Sequence, residues 1–192
     1  MEIAMKRSLS DLKEVLFDQS WAKKAPNFNV YQVWRGLKFR RNLRYDETVI
    51  FPKMLGADFP KTKGHEHPPE CRELLLVLKG EAIFLLQKDE GDKIKDIYFV
   101  RAKKGQAVLS PSGYSHTTIN PLKKDLKIAT WMDKRCESDY RQIEKLGGFG
   151  YYYTVSGWQK DKNYQKLPKL KEKKPLKTIP KNLDFLNCRS GC

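Results

Sequence analysis

No stretch of this sequence approaches the roughly 18 consecutive apolar residues that a membrane span requires. The opening, MEIAMKRSLSDLKEVLFDQ, holds no apolar segment of the roughly 7–15 residues that marks a secretory signal. A cytoplasmic location is therefore the expectation. No unit repeats with a period of about 20–50 residues, which removes solenoids and propellers. Four cysteines, Cys71, Cys136, Cys188 and Cys192, lie far apart along the chain, and without an export signal free thiols are expected. The terminal CRSGC has the spacing of half a zinc site, but no second closely spaced pair accompanies it, so it reads as a frayed tail. Histidine is scarcest of all, with three in 192 residues.

The length suits one domain with appendages, divided here as 1–25 (a helical appendage), 26–158 (the body) and 159–192 (a basic arm). Ser8, with Asp11 three residues on, opens a run whose Leu9, Leu12, Val15 and Leu16 share one helical face, so a capped amphipathic helix is expected. Net charge is +15, and residues 160–181, KDKNYQKLPKLKEKKPLKTIPK, contribute +7 of it. Nucleic-acid surfaces interleave basic residues with stacking aromatics, and this stretch offers only Tyr164. It reads as a solvated or body-hugging arm that adds little to the core, with no specific nucleic-acid partner. The charge left on the body favours a small anionic substrate.

Between these ends, short runs rich in β-branched and aromatic residues alternate with turn signals. They are TVIFPKML (from 48), ELLLVL (73), EAIFLLQ (81), IKDIYFV (94), QAVLS (106), HTTIN (116), LKIATWM (126) and GYYYTV (150). That spacing is the mark of an all-β sandwich or barrel. One helix interrupts it, SDYRQIEKLGG from 138, with Ser138 as the expected N-cap and glycines at its stop.

All three histidines fall beside this strand pattern. His65 and His67 are two apart, so on a strand both imidazoles point the same way. Pro68 and Pro69 end that strand, and the next should place Cys71, Glu73, Leu75 and Val77 on one face. His116 opens a further strand after the PSG turn at 111–113. Imidazoles with a carboxylate suit one divalent ion such as Fe²⁺, Mn²⁺, Ni²⁺ or Zn²⁺. An isolated His-x-His is more often a polar surface pair. Here it stands with Glu73 ahead of Gly80, and with Gly105, Pro111, Gly113, His116 and Asn120 at G-x5-P-x-G-x2-H-x3-N spacing. Cys71 is a thiolate competitor for Glu73.

These two segments resemble the paired motifs of the cupins, double-stranded β-helix (jelly-roll) barrels with a metal in the mouth. The first motif departs from the family pattern, with five residues between His67 and Glu73 and no glycine in its usual place ahead of His65. The runs KTKGHEH, LLQKDEGD, PSGYSHTTIN and DY…GGFG narrow the resemblance to the cupin-type glucose-6-phosphate isomerases, over roughly residues 30–155. The resemblance implies His65, His67, Glu73 and His116 as metal ligands, and Thr48, Thr62, Gly64 and Tyr140 around a substrate phosphate. It also implies a homodimer. Two positions depart from the family: Leu75 and Ser138 stand where a tyrosine and a histidine are common. The implied reaction moves a carbonyl between C1 and C2 of the sugar phosphate, with Glu73 as the candidate base and a hydride shift as the competing route. The same site also fits an iron-dependent dioxygenase or a non-catalytic sugar-phosphate-binding cupin.

Overall fold

Backbone amides in a strand need partners, and this chain supplies them by folding nearly all of its apolar runs into two sheets. The computed structural model describes residues 4–91, 93–164 and 166–188. Its strands are β1 (Met5–Ser8), β2 (Asn29–Arg40), β3 (Leu43–Ile50), β4 (Glu73–Lys79), β5 (Glu81–Glu90), β6 (Lys93–Lys103), β7 (Ala107–Ser110), β8 (Ser115–Ile119), β9 (Leu126–Asp133), β10 (Tyr151–Thr154), β11 (Gly157–Lys160) and β12 (Lys171–Lys173). Two short helices, α1 (Gln19–Lys24) and α2 (Arg141–Leu146), lie among them. A six-stranded sheet runs β1-β2-β3-β9-β4-β7 and a four-stranded sheet runs β12-β6-β5-β8, with β10-β11 as a separate hairpin. This is the expected all-β jelly roll. Among the described residues, no helix is long and apolar enough to cross a membrane.

The sheets close on a core that includes Leu75, Val77, Ile83, Leu85, Ile97, Phe99 and Ile128. Strand β4 shows why its run is apolar without alternation. Glu73, Leu75 and Val77 take one face, while Leu74 belongs to a second cluster with Leu43, Ala107, Leu183 and Leu186. Both faces are covered, so both faces are apolar.

The C-terminal arm provides that outer cover, contrary to the expectation that it adds little to the core. Strand β12 pairs in parallel with β6, and Leu183 and Leu186 are buried on the outer face of the larger sheet. Its lysines stay in solvent while its few leucines and Tyr164 dock, which composition averages conceal. The other feature of the tail, the CRSGC motif, starts at the described Cys188 and continues through residues 189–192, outside the described residues.

The N-terminal segment also differs from its expected helix. It forms β1 and then two 3₁₀ turns, Leu9–Asp11 and Lys13–Val15. Leu9, Leu12, Val15 and Leu16 are all buried, so the apolar pattern marked burial correctly. Continuation into a helix is prevented because β1 pairs with β2 up to Ser8, and the Asp58 carboxylate accepts from the Phe17 and Asp18 N–H groups at 2.9 and 3.3 Å. Helix α2 starts at Arg141 with Tyr140, rather than Ser138, at the N-cap, and stops at Gly147 with φ of 79°.

Candidate metal centre

His65 reaches the centre from a short bridge and not from a regular strand. Its N–H and C=O both pair with His116 at the start of β8. Gly64, just before it, makes that approach feasible. Its φ is +83°, and a Cβ there would lie 2.3 Å from Phe149 Cε2. Glu73 begins β4, whose register opposes it to Ser110 of β7 and Met132 of β9. At the far end of the second motif, Asn120 is fully buried and donates to the carbonyls of Ile50 (3.1 Å) and Lys124 (2.8 Å), pinning the loop after β8.

Four side chains converge. His67 Nε2 lies 2.9 Å from Glu73 Oε2, His116 Nε2 lies 3.1 Å from the same oxygen, and His65 Nε2 lies 3.9 Å from it. His65 and His67 bring their Nε2 atoms within 3.1 Å of each other. The backbone carbonyl of Glu137 can only accept, so at 2.7 Å it fixes a proton on His67 Nδ1 and aims Nε2 at the cluster. Ser110 Oγ stands 3.2 Å from His116 Nδ1 and orients that ring. Burial, with His116 and His67 beside it, holds the His65 ring well below the usual imidazole range. Burial alone would raise the Glu73 carboxyl; His116 and His67 outweigh it by charge and hydrogen bond and hold it well below its usual range. Burial opposes charge on His67, but the Glu73 contact and the Glu137 carbonyl raise that ring above its ordinary value. Glu73 Oε2 thus draws protons and positive charge from two imidazoles at one point, and a divalent cation can take the place of those protons. The donor set fits a borderline divalent ion.

Cys71, the competitor at this centre, is turned away. It lies ahead of β4, which begins at Glu73, and is bonded to Cys136, which corrects both the shared strand face with Glu73 and the expectation of four free thiols.

Thr48, Thr62, Gly64 and Tyr140 line one pocket together with His65, Glu73 and His116, while His67 stands behind it. Leu75 and Ser138 line the pocket too. Thr117 Oγ1 donates to the Thr62 carbonyl at 2.8 Å and the Thr118 N–H donates to Thr62 Oγ1 at 3.0 Å. The Thr62 hydroxyl proton is therefore left to point at Thr117 or at a ligand. Tyr140 stacks obliquely on His65 with centroids 5.8 Å apart, and the Arg7 guanidinium sits 5.9 Å from its ring.

Sequence reasoning missed three arginines that line this pocket: Arg7 on β1, Arg35 on β2 and Arg44 on β3. Arg44 is held by the Asp46 carboxylate at 3.0 Å, which also accepts the Gly36 N–H at 2.8 Å. Strand β2 loses register between Trp34 and Lys38, around Gly36 with φ of +70°. Glycine inside a β-rich run was the available sign of that bulge.

Two sheets closed over a buried imidazole–carboxylate centre define a cupin barrel. The family model for glucose-6-phosphate isomerase matches residues 6–169, wider at both ends than the resemblance in the motifs. The glucose-6-phosphate isomerase of Thermococcus litoralis is 30% identical over 73% of this chain and 75% of its own length, and that of Thermococcus gammatolerans is 31% identical over the same shares. The Pyrococcus abyssi isomerase is 32% identical over 59% of this chain and 61% of its own. The chain belongs to the cupin-type glucose-6-phosphate isomerase family. Likeness to solved structures is looser: oxalate decarboxylase of Lactobacillus farciminis has a TM-score of 0.48 at 14% identity over 62% of this chain and 34% of that one, too distant to bear on chemistry.

Proposed function

We propose that this chain interconverts glucose 6-phosphate and fructose 6-phosphate, with one divalent ion held by His65, His67, Glu73 and His116. The observation that supports it most is the joining of His65, Glu73 and His116 with the phosphate candidates in one pocket, with His67 in contact with Glu73 behind them. A bound Fe²⁺, Mn²⁺, Ni²⁺ or Zn²⁺ supplies Lewis-acid polarisation of the sugar's C1 and C2 oxygens.

The protein's own part is positioning and proton transfer. All the imidazole contacts to Glu73 fall on Oε2, so Oε1 is the oxygen that takes a proton from one carbon and returns it to the other. Thr48 and Thr62 offer hydroxyls to the phosphate, Gly64 a backbone N–H, and Tyr140 closes over it. Arg7 and Arg35 raise the positive potential around that end of the pocket. Phosphate binding energy then holds the reacting carbons beside Glu73.

Proton NMR of fructose 6-phosphate in D₂O with metal-loaded protein tests this directly. Appearance of glucose 6-phosphate, with deuterium at the migrating position, is expected; retention of the hydrogen would assign a hydride shift instead. Tight sugar-phosphate binding without turnover under any of the four metals would leave a binding cupin, and oxygen uptake a dioxygenase. The homodimer implied by the resemblance is read by light scattering.

A further inference from the structure

Three of the four cysteines, far apart in sequence, meet in space. Cys188 Sγ lies 3.3 Å from Cys71 Sγ and 3.4 Å from Cys136 Sγ, and all three sulfurs are packed with Met132. They come from separate places: the turn before β4, the turn after β9, and the C-terminal arm. The backbone of Cys188 is tied down as well. Its N–H donates to Asp133 Oδ2 at 2.9 Å, and its carbonyl accepts from Arg135 Nη2 at 2.9 Å.

We propose that in the reduced chain these three thiolates hold a structural Zn²⁺ that fastens the C-terminal arm to the barrel. Around a tetrahedral zinc with Zn–S of about 2.3 Å, sulfurs stand ~3.8 Å apart, so Cys188 is already near its distance from both others, and Cys71 and Cys136 have only to part once their bond is opened. The sequence carries Cys192 four residues further on, within the roughly two-to-four-residue gap of zinc half-sites, outside the described residues. The three placed sulfurs carry the proposal. The Cys71–Cys136 bond and the ion are alternative states of the same atoms. A dithiol supplies the two electrons and two protons that open the bond and leaves as its own disulfide; the thiols then release protons to solvent as zinc binds. A thiol-exchange relay fits less well, because exchange needs access, and Cys71 and Cys136 are only 3% and 2% exposed.

The site would also steady the catalytic centre. Cys136 immediately precedes Glu137, whose carbonyl orients His67, and Cys71 lies two residues before Glu73. Zinc here sets the positions of two ligands of the other ion.

Cobalt titration of the reduced full-length protein separates the two centres, because only sulfur ligation gives intense thiolate-to-cobalt charge-transfer absorption. The band is expected in the wild type and in His116→Ala, and lost in Cys188→Ser together with one equivalent of tightly held zinc. Cysteines of the zinc-loaded wild type should resist a thiol reagent until a chelator is added. Absence of the band in reduced wild type, with its thiols reacting freely, would overturn the proposal even if the Cys variant failed to fold. So would its survival in Cys188→Ser. Neither result depends on isomerase turnover.

Discussion

Two donor clusters lie at one end of strand β4, and they differ in chemistry and surroundings. Glu73 faces into the barrel, where with His65 and His116 it borders a pocket lined by threonines and arginines. Cys71, two residues earlier, belongs to a buried sulfur cluster with Cys136, Met132 and Cys188 of the C-terminal arm. Nitrogen and oxygen donors beside open space leave room for a substrate; sulfur donors buried in the packing leave none. One short stretch, from His65 to Leu76, therefore lines a pocket on one side and packs against the arm on the other. The difference shows that a donor cluster's surroundings, as much as its ligands, decide what it does.

The largest break in that comparison is at the mouth. Glu73→Gln keeps shape but removes the basic oxygen, and kcat at saturating metal should fall by about 10²–10⁴-fold with substrate affinity little changed. Turnover followed by NMR, with calorimetric binding of fructose 6-phosphate, checks both halves. A fall in binding alone would place Glu73 among the phosphate contacts and remove it as the base.

On the outer side, Leu186→Ala leaves a hole against Leu74 and Leu43 and should cost about 2–5 kcal/mol of stability. Chain truncated after residue 158 should lose more and become poorly soluble, because the outer face of β4 would be bare. Urea melts of the two proteins measure this. An unchanged midpoint in Leu186→Ala would mean the arm is draped over the sheet without packing on it.

How much of this was legible in sequence follows the same division. His65, His67, Glu73 and His116 could be singled out because motif spacing is a local rule, and the structure puts His65, His67 and Glu73 together with His116 3.1 Å from Glu73. The strands of the body were visible for the same reason, but β2 was not, since VYQVWRGLKFR carries charged and bulged positions that break alternation. The arm was misjudged because nine lysines hide the leucines that dock. The sulfur cluster was out of reach altogether: Cys71 and Cys136 are 65 residues apart, and only the closure of β4 against β9 makes them neighbours.

A smaller effect sharpens the mouth. Thr62→Val removes a hydroxyl from the phosphate end, and KM should rise by about 10-fold while kcat holds, with Thr62→Ser restoring most of the loss. A drop in kcat instead would show that the Thr62–Thr117 contact shapes the barrel more than it meets substrate.

The smallest expected effect tests how the arm is pinned. Asp133 is fully buried at the end of β9, where it accepts from Arg135 and from the Cys188 N–H. The Arg135 hydrogen bond outweighs burial and, with these backbone amides, lowers its carboxyl to about 2. A folded-state value below the unfolded one means that the stabilisation is complete above about pH 4 and is lost as pH falls towards 2. Because Arg135 is half exposed, solvent screening reduces the contribution to about 1–2 kcal/mol. Acid titration of stability in wild type should therefore show a slope between about pH 4 and 2 that Asp133→Asn lacks. The amide should also loosen the arm, seen as faster hydrogen exchange at Cys188 and Leu186 with the β5–β6 amides unchanged. Equal acid slopes in the two proteins would mean that Asp133 stays protonated in the fold, and that the leucines alone hold the arm to the barrel.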